Sequence, residues 1–167
     1  MSNKQAWNYH GDSPKAGRKL LLLEISELTI SLPLIFRLIH PAEIDVRKEW
    51  FATQVVAADE KQNSQYISLV DCLQVVTTNR KKGTAVEQSL IELNNKLNNY
   101  FSDFGWRMVR KELSQIKKRQ KKSHIELSKD LIGKLKDYMQ RNSLDSFDQA
   151  IDNLLSEAEM QKDIEQE

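Results

Sequence analysis

The sequence predicts a mainly α-helical protein: an N-terminal helical bundle followed by a C-terminal module of one strand and two helices that dimerises. Three observations lead there. Glycine and proline are scarce, five and three of 167 residues, so little interrupts helix formation. Apolar residues recur at helical spacing from Leu20 to Ile116. Then Lys122-Ser-His-Ile-Glu-Leu-Ser-Lys-Asp-Leu131 alternates polar and apolar residues for about one strand's length and passes directly into helical periodicity.

The elements follow in order. Residues 1–18 are polar and carry Gly11, Pro14 and Gly17, which predicts a flexible tail. Residues 19–105 are the bundle. Its first helix, Leu20 to Leu32, should break near Pro33 for want of a backbone donor. Pro41 suits the first turn of a second helix, with Ile44, Phe51, Val55 and Ala58 on one face. Tyr66, Leu69, Val70, Leu73 and Val76 repeat the spacing in a third, which Asn79-Arg-Lys-Lys-Gly83 should end with a glycine cap. A longer helix carries Val86, Leu90, Leu93, Leu97, Tyr100, Phe101 and Phe104, and Gly105 should interrupt it. Residues 106–122 form a basic amphipathic connector, with Trp106, Val109, Leu113 and Ile116 on its apolar face.

The strand-helix-helix module spans residues 123–160, and residues 161–167 are an acidic tail. Ser128 can cap a helix whose apolar face is Leu131, Ile132, Leu135, Tyr138 and Met139. Arg141-Asn-Ser-Leu144 is the turn. Ser146-Phe-Asp-Gln149 has the capping-box spacing, and Phe147, Ala150, Ile151, Leu154, Leu155 and Ala158 continue the second helix.

Composition narrows the function. The net charge of +1 says nothing about nucleic acid, but its distribution does. Arg107, Arg110, Lys111, Lys117, Lys118, Arg119, Lys121 and Lys122 are opposed within their run only by Glu112, which points to an anionic partner. Cys72 is the only cysteine, and His10, His40 and His124 are far apart in sequence, so no metal-ligand spacing exists. There is no nucleophile motif and no glycine-rich phosphate loop. Asp71 and Cys72 lie among core-spaced residues of the third helix, and Trp50 and Trp106 read as bundle core. No enzyme activity, cofactor, metal or small-molecule substrate is expected. The apolar stretch Leu20 to Ile39 carries Glu24, Glu27, Pro33 and Arg37, costly in hydrocarbon, and lacks a signal-peptide pattern. A cytoplasmic protein without membrane contact is expected.

A lone strand attached to two helices cannot satisfy its own edges or fill a core. The obvious donor of a second strand is another copy of the chain. Alternation puts Ile125 and Leu127 on one face and Lys122, His124 and Glu126 on the other, and a two-stranded ribbon fits a DNA major groove.

With these residues, Ile125-Glu-Leu-Ser-Lys-Asp-Leu-Ile-Gly-Lys-Leu135 and Ser146-Phe-Asp-Gln-Ala-Ile151, the module resembles the ribbon-helix-helix DNA-binding superfamily of the Arc, MetJ and CopG-type repressors. Leu97-Asn-Asn-Tyr-Phe101 and Ile116-Lys-Lys-Arg-Gln-Lys-Lys122 are similar to the aromatic helix and basic connector of the macrodomain Ter protein family, which organises the chromosome's replication terminus. The N-terminal hundred residues match that family poorly, and the tail after Ala158 is short.

The resemblance implies that Lys122, His124 and Glu126 read bases. It implies that Ser146, with the Phe147 amide, holds a phosphate at a helix N-terminus, which is also a physically favourable anion site. Glu126 would accept from cytosine N4, or would pair with Lys122 or His124 and read nothing. Arg110, Lys117, Lys118, Arg119 and Lys121 are candidates for the phosphate backbone. Ile125, Leu127, Leu131, Leu135, Ile151, Leu154 and Leu155 would form the dimer core. The expected function is a sequence-specific, nucleoid-associated homodimer on double-stranded DNA, in chromosome or plasmid organisation. A transcriptional repressor is the first alternative. The second is an interaction module that uses the ribbon only to dimerise, with a protein partner for the N-terminal bundle or the C-terminal tail.

Overall fold

The chain forms two units, Met1–Lys122 and Ser123–Glu167. The computed structural model describes residues 4–57 and 59–165, the side chains of 59–63 excepted. Eight α-helices lie among the described residues: α1 Leu28–Leu38, α2 Pro41–Val46, α3 Thr53–Val56, α4 Asp59–Lys82, α5 Val86–Tyr100, α6 Asp103–Gln120, α7 Lys129–Arg141 and α8 Phe147–Glu165. None of these helices is long and apolar enough to cross a membrane.

The N-terminal unit departs from the sequence reading at its start. Leu20 to Glu24 is not helical: Trp7 N donates to Leu20 O at 2.8 Å and Leu22 N to Gln5 O at 2.9 Å, around an antiparallel bridge of Ala6 with Leu21. Residues 4–10 are therefore an arm packed on the bundle rather than part of a free tail, with Trp7 buried in the core. The apolar run Leu20 to Leu23 suits either helix or strand, and its length alone does not arbitrate. Helix α1 begins later and keeps Pro33 inside it. An interior proline costs about 3 kcal/mol. Buried Leu28, Leu32, Leu34, Ile35 and Leu38 on the same helix contribute roughly 1.5–3 kcal/mol each, so packing wins.

The second predicted helix is broken into α2, a 3-10 turn at Lys48–Trp50, and α3. Ile44, Phe51 and Val55 are all buried, but by three short elements instead of one face; Ala58 lies outside the described residues. Helix α4 buries Leu69, Leu73 and Val76 and ends at Gly83. Gly83 has φ +71°, and Thr84 N donates back to Asn79 O, as a glycine-capped helix end requires.

The break between α5 and α6 falls at Phe101 and Ser102, not at Gly105. Phe101 pairs with Phe51 in an antiparallel bridge, flanked by Ala52 N to Tyr100 O and Ser102 N to Trp50 O, both 2.9 Å. Ser102 Oγ then caps α6 by accepting from Gly105 N. Gly105 lies in the first turn of α6 because a side chain there would strike Trp50: a Cβ would sit 1.8 Å from the Trp50 carbonyl oxygen. Phe104, predicted on the core stripe, is exposed instead. Trp106, Val109 and Leu113 carry the buried face of α6.

In the C-terminal unit α7 packs on α8. Ser128 caps α7 by accepting from Leu131 N, and Ser143, at φ +54°, turns the chain between the helices. Ser146 Oγ accepts from Gln149 N at 3.2 Å, and the Gln149 side chain answers at Asp145 N, one residue before the predicted partner. Residues 161–165, read as an acidic tail, continue α8.

Candidate nucleic-acid interface

Helix α6 delivers the chain to the candidate site. Its last turn holds Lys117, Lys118 and Arg119, and Lys122 N closes it by donating to Arg119 O. Residues 122–128 have no regular secondary structure, and Lys122, His124 and Glu126 are all exposed. The predicted ribbon strand is not formed, a correction with a plain cause. A strand is a ladder of hydrogen bonds, and among the described residues no second strand lies beside this segment.

The apolar side chains of the module share that want of a partner. Ile125 is 65 % exposed and Leu155 61 %, while Leu127, Leu131 and Leu154 are also exposed and Ile151 is half-buried. Of the seven predicted core positions only Leu135 is buried, and α8 adds Ala150. Two packed helices cover one seam and leave their remaining apolar faces in water.

Ser146 Oγ accepts a hydrogen bond as the α8 cap, which leaves its own proton for a further acceptor. Phe147, first residue of α8, is exposed. Between the two helices, Tyr138 Oη donates to Glu157 and accepts from Asn153 Nδ2 at 2.9 Å.

The basic connector divides into two sets. Arg110 and Lys117 are engaged within the fold: both pair with Glu27, a carboxylate only 3 % exposed. Arg110 Nη1 and Nη2 donate to its two oxygens at 2.6 and 2.9 Å, and Lys117 Nζ donates at 2.8 Å. Burial by itself would raise the Glu27 carboxyl, but these hydrogen bonds and the two positive charges outweigh it and hold the pKa at about 2 instead of 4.5. A buried carboxylate must be paired, and α6 supplies the cations. Lys118, Arg119 and Lys121 are exposed and have no carboxylate within 4.0 Å among the described residues.

Several structural residues escaped the sequence reading. Asn94 and Asn98, one turn apart on α5, stitch the N-terminal strandlike segments to the bundle: Asn94 exchanges hydrogen bonds with the Leu23 backbone and Asn98 with the Asn8 backbone. Asp103 receives Trp7 Nε1, His10 N and Gly11 N. Glu27 did carry a signal, being a charge inside an apolar run, where a paired buried ion is the alternative to a membrane penalty. Cys72 faces the core, and burial pushes its thiol up, away from the reactive thiolate. Among the described residues, no group of three or more His, Cys, Asp or Glu side chains is placed to hold a metal ion.

The chain matches no family model, no curated protein and no solved structure.

Proposed function

We propose that this chain is a sequence-specific double-stranded DNA-binding protein acting as a homodimer, with residues 122–128 of two copies forming a ribbon in the major groove. The observation that carries the reading is the exposure of Ile125, Leu127, Leu131, Leu154 and Leu155 at positions patterned as a core. A second copy would cover them and would supply the missing strand partner in the same step. Lys122 and His124 would then meet bases, and Ser146 with the Phe147 amide would meet a phosphate. Chromosome or plasmid organisation is favoured over local repression, because the N-terminal unit is far larger than a minimal repressor needs.

Selection of bound duplexes from a random pool tests this. A palindromic or pseudo-palindromic motif is expected, and replacing Lys122 and His124 together should relax it. Unchanged selectivity in that double variant would overturn the mechanism. Occupancy across a genome separates the two outputs: many sites in one region mean organisation, one promoter means repression.

A second reading, a protein-interaction module, is favoured by two observations. Glu126 is exposed beside the proposed base-reading residues, where phosphates would repel it. The N-terminal unit also has an apolar groove of about 490 Å³ between α1 and α4, lined by Leu32, Pro33, Phe36, Leu73 and Thr77. Absence of binding to random duplex at low salt would favour this reading.

A further inference from the structure

With Arg110 and Lys117 consumed by Glu27, the remaining cations of α6 are not scattered. At about 100° per residue, Arg107, Lys111, Lys118 and Lys121 fall within roughly 80° of arc and form one lengthwise stripe. Arg119 is turned about 120° from the centre of that stripe, on another side of the helix. All four stripe residues are exposed, and none has a carboxylate within 4.0 Å among the described residues. The acidic residues of the same helix are occupied elsewhere: Glu112 with Arg37 at 3.6 Å, and Asp103 with Trp7, His10 and Gly11.

We infer that this stripe is a second DNA contact, a sequence-independent track for one phosphate backbone carried by the N-terminal unit itself. The inference rests on the DNA-binding reading and extends it to Arg107 and Lys111. From Arg107 to Lys121 the stripe runs about 21 Å along a straight helix. One strand of duplex DNA advances about 3.4 Å per phosphate along the duplex axis while winding around it, so a straight stripe of this length faces only a few phosphates of that strand, on the order of one per cation. The helix is held rigid for the purpose. Trp106, Val109 and Leu113 anchor its inner face, Ser102 caps its start, and Glu27 clamps its flank. An anionic membrane is the poorer fit, because a helix that lies on lipid presents apolar residues for insertion, and α6 spends its apolar face on the core.

The test is the salt dependence of duplex binding by the chain, with the four stripe residues changed to glutamine together and Lys82→Gln, an exposed cation at the end of α4, as the control outside α6. These side chains are exposed, and thermal melting monitored by circular dichroism confirms that both variants fold. Each lost phosphate contact removes about 0.9 from the slope of log K against log salt, so the four-site variant should be shallower by about 3–4 per engaged stripe. Lys82→Gln should leave the slope unchanged, and the ranking of selected sequences should be the same in all three proteins. An equal slope in the four-site variant, with duplex binding intact in the unaltered chain, would overturn the track and leave the DNA reading standing. No duplex binding by the unaltered chain would overturn both. Loss of binding to vesicles of anionic lipid, with the duplex slope unchanged, would assign the stripe to a membrane surface and overturn the inference.

Discussion

Glu27 and Arg110, 83 residues apart, form a two-point ion pair that fixes the basic helix to the bundle. The folded-state pKa of Glu27 is depressed, from 4.5 to about 2, by that pair and by Lys117. A depressed carboxylate pKa gives stability that is fully present above the unfolded value and is lost as pH falls through the folded one. The unaltered protein should therefore exceed Glu27→Gln in stability above pH 5 by a constant margin. That margin should shrink between pH 4.5 and about 2. Urea unfolding at a series of acid pH values measures it, and a margin independent of pH would remove Glu27 as its source.

Removing a cation should cost more than removing an exposed charge. Arg110→Ala leaves the Glu27 carboxylate buried with Lys117 alone, and breaking a buried pair from one side costs about 3 kcal/mol. Lys118→Ala, a surface change at the exposed residue next to Lys117, should stay within about 0.5 kcal/mol. The two variants can be compared by denaturant midpoint at neutral pH. Equal effects would mean that the inward and outward cations are not energetically distinct.

Gly105→Ala opposes two effects of different size. Alanine is better than glycine in a helix by about 1 kcal/mol. Its Cβ, however, would stand 1.8 Å from the Trp50 carbonyl oxygen and 2.5 Å from the carbonyl carbon, and backbone cannot swing away as a side-chain tip can. The clash should win, with a net loss of about 2 kcal/mol or more, within the range for overpacking. A rise in melting temperature on this substitution would show that Trp50 and α6 can separate at little cost.

Trp7 ties the N-terminal arm to α6. Its ring stacks on Trp106 at 5.5 Å and 4°, and its Nε1 donates to Asp103 at 2.8 Å. Trp7→Ala removes a large buried ring, for which about 3 kcal/mol or more is expected. Asp103→Ala should cost less, since the ring remains and three donors lose one carboxylate. Tryptophan fluorescence and far-ultraviolet circular dichroism during unfolding give both values. An unaffected midpoint in Trp7→Ala would mean that the arm contributes nothing to the bundle.

What the sequence reveals here depends on how local the determining physics is. Ser128 and Ser146 as caps, Gly83 as a helix end, and the buried stripe Trp106, Val109 and Leu113 are all set within a few residues, and periodicity and capping chemistry expose them. The arm and the interrupted second helix are set by contacts across 40 to 100 residues, such as Phe51 with Phe101 or Trp7 with Asp103, and nothing in their own neighbourhoods announces them. The candidate site divides the same way. The exposure of Lys118 and Lys121 follows from helical geometry once the buried face is known. The diversion of Arg110 and Lys117 does not, because Glu27 reaches them only through the tertiary fold.

The proposed homodimer would give Ile125 and Leu155 opposite roles in the free and paired states. In a monomer, Ile125 and Leu155 are solvent-facing, and changing both to lysine should alter stability by about 0.5 kcal/mol or less. In a dimer whose core they enter, the same change buries two charges without partners and prevents association. The unaltered chain should sediment as a dimer at micromolar concentration, and the unfolding midpoint of its C-terminal unit should rise with protein concentration by mass action. The double variant should sediment as a monomer, lose that concentration dependence and bind duplex far more weakly. A monomeric unaltered chain, or a double variant that still dimerises, would sink the proposal that a second copy covers this face.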